Sequence, residues 1–140
     1  MNKIAILGYG TVGGGVAGVL CDNREEILCK TGKDIDVKYI LDVRDFPGDK
    51  FEDKIIHDFS LIENDEEIEA VVETIGGKSI AYDFTKRALA KGKHVITSNK
   101  ELVSEKGDEL FEIAEKAGVR YLFEASVGGG IPIIHPIYDC

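Results

Sequence analysis

Three glycines near the amino terminus are spaced to hold a phosphate. Gly8-Tyr9-Gly10-Thr11-Val12-Gly13 is a G-x-G-x-x-G pattern that follows an apolar run at residues 3–7. A helical stretch opens after it, and that context gives the pattern a mechanism. Gly8 permits a tight turn, Gly10 lets the backbone approach a pyrophosphate, and Gly13 lets helix and strand pack closely. The unpaired amides of the helix start, at the positive end of its dipole, then face the phosphates. Gly14 and Gly15 exceed what the pattern requires and are expected to loosen the first helical turn.

A second pair of residues bears on which dinucleotide would fit. An acid at the end of the second strand, about 20 residues past the loop, takes the ribose 2′-hydroxyl of NAD, whereas an arginine there favours the 2′-phosphate of NADP. Leu41-Asp42-Val43-Arg44-Asp45 offers both. The interval from Gly13 to Asp42 is long, which an extended first helix explains. If Asp42 points at the ribose it repels a 2′-phosphate; if Arg44 does, it pairs with one through a charge-assisted fork. The reading leans to NADP, with NAD as the alternative.

These groups need a scaffold, and the hydrophobic pattern supplies one. Residues 3–7 are too few for a helix and end at glycine, as a buried strand does. Val12, Val16, Val19, Leu20, Ile27 and Leu28 keep a helical period to about Lys30, where Gly32 stops it. Residues 35–43, 70–74, 94–97 and 119–123 read as further strands, with a weaker one at Ile55-Ile56. Ile80, Phe84, Ala88 and Leu89 form one helical face, and Leu110, Ile113, Ala114 and Ala117 another. Alternating strands and helices predict an α/β fold: a Rossmann-type, doubly wound parallel sheet filling one domain over residues 1–140.

Composition narrows the function. The 140 residues carry 17 Lys and Arg against 26 Asp and Glu, a net charge of −9. Such a surface repels phosphate backbones and anionic lipid, so nucleic acid and membranes are not expected partners. No apolar run approaches the roughly 18 to 20 residues that span a bilayer. Cys21, Cys29 and Cys140 have no metal or disulfide spacing; they read as reduced packing residues of a cytoplasmic protein. His57, His94 and His135 lack ligand spacing and read as packing or surface residues.

Further motifs join the glycine loop. They are Val43-Arg44-Asp45, Val71-Val72-Glu73-Thr74-Ile75-Gly76-Gly77, Gly92-Lys93-His94-Val95-Ile96-Thr97-Ser98-Asn99-Lys100 and Glu124-Ala125-Ser126-Val127-Gly128-Gly129-Gly130-Ile131-Pro132. In this order they closely resemble the N-terminal half of the homoserine dehydrogenases, over essentially the whole chain. That family interconverts L-homoserine and L-aspartate 4-semialdehyde by hydride transfer with NAD or NADP, a step toward threonine, methionine and isoleucine. The resemblance implies Thr11 and Val12 at the pyrophosphate, Arg44 at the adenosine end, Thr74 near the nicotinamide ribose, and Ile75 and Gly76 among the cofactor contacts. It implies Lys100 among the cofactor and catalytic contacts, where an ammonium can stabilise or protonate the alkoxide that hydride attack creates. Ser98 departs from the family, which more often has alanine there.

The resemblance also implies a sodium site in which Glu124, Val127, Gly129 and Ile131 offer mainly backbone carbonyls, a donor set suited to a hard cation. The same stretch, about residues 125–140, reads as a hinge. In the family, a second domain after it carries the substrate pocket, an aspartate–lysine pair and most of a homodimer interface. This chain is therefore expected to bind cofactor without turning over homoserine alone. Two rival readings are a non-catalytic nucleotide-sensing module and a methyltransferase. The Thr97-to-Lys100 and Glu124-to-Pro132 motifs argue against the sensor, and the full glycine pattern argues against the methyltransferase.

Overall fold

The computed structural model describes residues 1–138, without the side chain of Tyr138. Cys140, predicted to pack, lies outside the described residues. The chain runs β1 (Asn2–Leu7), α1 (Thr11–Asp22), α2 (Arg24–Thr31), β2 (Ile35–Leu41), β3 (Ile55–Ile56), α3 (Ser60–Glu63) and β4 (Ile68–Glu73). It continues through α4 (Ser79–Ala90), β5 (His94–Thr97), α5 (Lys100–Ala117), β6 (Tyr121–Leu122) and α6 (Ile134–Tyr138). The six strands form one sheet in the order β3-β2-β1-β4-β5-β6, and every neighbouring pair is parallel. The predicted doubly wound Rossmann-type fold is thus observed, with its order reversing beside β1, where such sheets place a ligand crevice.

Side chains alternate across the sheet, so one strand feeds two cores. Ile4 and Ile6 of β1 pack with Ala17, Val37, Ile40 and Phe51 on one face. Ala5 and Leu7 face the other, where Val71, Val95, Leu89, Leu102 and Leu110 join them. Fully burying each large aliphatic side chain contributes about 1.5–3 kcal/mol, which ties both helical layers to the sheet.

The structure departs from the predicted elements in four places. The first helix is two, broken at Asn23, whose side-chain amide donates to the Val19 carbonyl at 3.0 Å and whose backbone leaves the helical region. Short amide side chains compete for backbone partners in this way. The second strand stops at Leu41, because Asp42 turns its carboxylate onto neighbouring amides. The fifth helix starts at Lys100, capped by Asn99, whose Oδ1 accepts from the Leu102 amide at 3.1 Å. The last strand shrinks to Tyr121–Leu122 at the sheet edge. Cys21 and Cys29, predicted to pack, are exposed instead; α2 buries none of its residues.

Candidate functional site

The glycine loop is shaped by contact with the end of β4. Gly8 has φ +90°, a conformation that favours glycine, and donates to the Leu41 carbonyl at 2.8 Å. Thr74 locks the turn from the other side: its amide donates to the Leu7 carbonyl at 2.9 Å. Its hydroxyl lies 2.8 Å from that oxygen and 3.0 Å from the Gly8 carbonyl. A Cβ on Gly13 would stand 1.9 Å from the Gly8 carbonyl oxygen, so helix and loop meet there with no room for a side chain. A Cβ on Gly10 would meet no protein atom within 4 Å. Gly8 is required by its conformation and Gly13 by packing, whereas nothing in the chain itself requires a glycine at residue 10.

The start of α1 is bare. Gly10 gives it no side-chain cap, and no acid lies in its first turn. Among the described residues, the amides of Thr11, Val12 and Gly13 have no acceptor; the backbone bonds across the cap begin with Gly14 donating to Gly10 at 2.8 Å. Three unpaired N–H groups at the positive end of a helix offer a cradle suited to an anion. Beside it a cleft of about 380 Å³ is lined by Gly8, Gly10, Asp42, Arg44, Thr74, Ile75 and Gly76.

Asp42 and Arg44, read as alternative contacts for the ribose, bind each other. Arg44 Nε donates to Asp42 Oδ1 at 3.0 Å and Nη2 to Oδ2 at 3.2 Å. The amides of Tyr9 and Arg44 add bonds of 2.8 and 3.0 Å to the same carboxylate. Arg44, followed by these amides, holds the Asp42 carboxyl at about 2, against the cost of its burial. The Arg44 side chain remains 60% exposed, so it is still free to meet an anion. Tyr9 is fixed as well: its hydroxyl donates to Asp49 at 2.8 Å, and burial followed by that bond raises the phenol to about 12. Its ring meets Phe46 edge-on at 4.8 Å between centroids, pinning the glycine loop to the segment after β2.

His57 also lines the cleft, which the sequence reading missed. Its Nδ1 is 2.6 Å from the Asp42 carbonyl and its Nε2 is 3.0 Å from Asp45, contacts that raise its pKa. Ile80 and Phe84, in the first half of α4, also line the cleft. The helical spacing of Ile80 and Phe84 marks a buried face but not a cleft; α4 brings these two in, and the turn after β3 brings in His57.

On the other side of the cradle, β4 and β5 end together. Lys100 is the first residue of α5 and exposed, at the carboxyl edge of the sheet as its position after β5 suggested. Glu73, not singled out from sequence, is fully buried at the end of β4, and burial pushes its carboxyl above the usual range.

The glycine-rich segment beyond β6 is ordered by Glu124. Its carboxylate accepts from the amides of Ile133 at 2.6 Å, Ile134 at 2.9 Å and His135 at 3.2 Å, capping α6. That side chain is therefore occupied with the helix, and the Glu124 carbonyl accepts from Val127 at 3.2 Å. Among the described residues no N–H donates to the carbonyls of Val127, Gly129 or Ile131, and Gly128 and Gly129 have φ +72° and +60°. Unengaged carbonyls turned by left-handed glycines fit the needs of a hard cation. No group of three or more His, Cys, Asp or Glu among the described residues is placed to hold a metal. No described helix is long and apolar enough to cross a membrane.

A six-stranded parallel sheet in this order, with an uncapped helix opening on a cleft beside its central strand, defines a dinucleotide-binding domain of the Rossmann class. The chain belongs to the family described as homoserine dehydrogenase, NAD binding domain, whose model matches residues 8–124. It is 42% identical over 143 residues to a homoserine dehydrogenase of Neisseria gonorrhoeae, covering 98% of this chain and 32% of that one. It is 43% identical over 138 residues to one of Pseudomonas aeruginosa, with the same coverage. The crystal structure of a homoserine dehydrogenase from Thiobacillus denitrificans superposes with a TM-score of 0.87 at 41% identity, covering 96% of this chain and 32% of that one. The chain thus spans about a third of the length of these relatives.

Proposed function

We propose that this chain seats NADP(H), and NAD(H) less tightly, for the interconversion of L-homoserine and L-aspartate 4-semialdehyde by the longer protein type it matches. The bare amides of Thr11, Val12 and Gly13 carry the reading: three donors at the helix start, next to a cleft lined by Gly8 and Gly10, with no partner among the described residues. They would hold the diphosphate, with Gly10 leaving the approach open. Arg44 would reach the adenosine end, and its pairing with Asp42 cancels the acid's repulsion of a 2′-phosphate. The bound dinucleotide supplies the hydride. Lys100 would stand beside the reacting carbonyl, where its ammonium steadies the alkoxide or delivers a proton. Thr74 holds the loop closed under the ribose, with Ile75 and Gly76 beside it.

The remaining parts of the reading belong together. The carbonyls of Glu124, Val127, Gly129 and Ile131 would bind sodium, and the segment from Ala125 onward would act as the hinge toward the part of the relatives this chain does not span. Substrate pocket and homodimer contacts would lie in that part, in a cytoplasmic enzyme, so residues 1–140 alone would bind cofactor and leave homoserine unoxidised. The test is a parallel fluorescence titration with NADPH, NADH and S-adenosylmethionine. NADPH binds best, NADH more weakly and the methyl donor not at all. Arg44→Ala weakens NADPH about tenfold or more, the scale of a lost charge-assisted fork, and changes NADH little. Binding of S-adenosylmethionine, or of no nucleotide, defeats the proposal.

A further inference from the structure

Glu73 is a carboxylate that the fold alone does not require. It is fully buried at the end of β4, and among the described residues no lysine or arginine pairs with it. Burying an acid without a counter-charge is costly, and an apolar residue at this strand end would avoid the cost. Its hydrogen bonds show what the acid accomplishes. Oε1 accepts from the Ile75 amide at 2.8 Å, and Oε2 accepts from the Thr97 hydroxyl at 2.5 Å. Thr97 Oγ1 accepts from the Asn99 amide at 3.0 Å. Asn99 Nδ2 donates back to the carbonyls of Ile75 at 3.2 Å and Gly77 at 2.7 Å. The bonds close a ring through Glu73, Ile75, Asn99 and Thr97. That ring ties the loop after β4 to the first turn of α5, where Lys100 begins.

The place of this ring in the fold suggests its use. Arg44 follows β2 on one side of the bare helix start, while the ring spans the ends of β4 and β5 on the other. A dinucleotide anchored by its diphosphate extends both ways across the sheet edge. With its adenosine half toward Arg44, its nicotinamide half crosses residues 75–77 and the Asn99–Lys100 turn. We propose that Glu73 is a positioning residue for the nicotinamide half, holding this loop and this helix start as one rigid floor through Thr97 and Asn99. The proposal rests on the reading that a dinucleotide occupies the cleft.

Calorimetric titration of the 140-residue chain with NADPH and with 2′-phospho-ADP-ribose, which lacks only the nicotinamide, isolates that floor. The wild-type chain binds NADPH more tightly, and the ratio of the two affinities measures the nicotinamide contribution. Thr97→Val keeps the side-chain volume and breaks the ring. It lowers the ratio about tenfold, as expected for a lost bond to a charged group, and lowers the melting temperature by several degrees because the buried carboxylate loses a donor, with 2′-phospho-ADP-ribose affinity unchanged. Thr97→Ser restores the ratio. Glu73→Leu lowers it likewise, and if that variant does not fold, the threonine pair decides alone. A ratio untouched by Thr97→Val, or a fall equal for both ligands, overturns the positioning role. Equal wild-type affinities overturn it too, while leaving dinucleotide binding intact. Failure of the wild-type chain to bind either ligand defeats the dinucleotide reading itself.

Discussion

Gly13→Ala is expected to destabilise the domain by at least about 3 kcal/mol, the upper range for overpacking a tight contact. The added methyl would sit 1.9 Å from the Gly8 carbonyl oxygen and 2.8 Å from Thr74 Oγ1. Neither neighbour can yield cheaply, since one is backbone and the other is bonded to Leu7 and Gly8. The helix must move away from the strand, which opens the turn and shifts the amide cradle with it. For a domain of this size, the melting temperature falls by roughly 10 °C, and NADPH affinity falls about a hundredfold or more. Gly15→Ala is the control. Its Cβ meets nothing within 4 Å, so the gain in helix propensity stabilises the chain by about 0.5–1 kcal/mol. Thermal melts of the two variants check the contrast; a stable, binding-competent Gly13→Ala chain would contradict the packing account.

Gly10→Val separates binding from folding in the opposite way. Gly10 lies at φ −85° and ψ −161°, extended backbone that valine adopts readily, and its Cβ direction is open. The melting temperature stays within a few degrees of wild type, because only a cap position is altered. Dinucleotide affinity nonetheless drops by about a hundredfold or more, since the isopropyl group would fill the approach to the three bare amides. Loss of stability in parallel with loss of binding would mean that Gly10, too, is a packing residue.

The chain announces its scaffold more openly than its polar wiring. Residues 3–7 could hardly be anything but a strand, since a short apolar run ending at Gly8 cannot make three helical turns, and the same argument found β4 and β5. The break at Asn23 was hidden, because Val19, Leu20, Ile27 and Leu28 keep a helical period across it. Lys100 was read as following a strand, although Asn99 ahead of Glu101 and Leu102 is a helix-start signal that brings α5 right up to it. Asp42 and Arg44 looked like rivals because a linear reading assigns each a ligand; the turn after Leu41 lets the two side chains meet. Glu73 was the deepest omission. A single acid inside Val71-Val72-Glu73-Thr74-Ile75 is the one available signal, and its meaning depends on Thr97 and Asn99, which lie 24 and 26 positions further along.

The central claim is that the free amides opening α1 hold a diphosphate. Backbone amide resonances of the 15N-labelled chain, followed during titration with NADPH, test it most directly. The largest changes should fall on Thr11, Val12 and Gly13, with Arg44 and Ile75 responding on either side and the amides of α2 unmoved. Saturable binding that leaves those three resonances in place, with its changes centred elsewhere on the surface, would contradict the account.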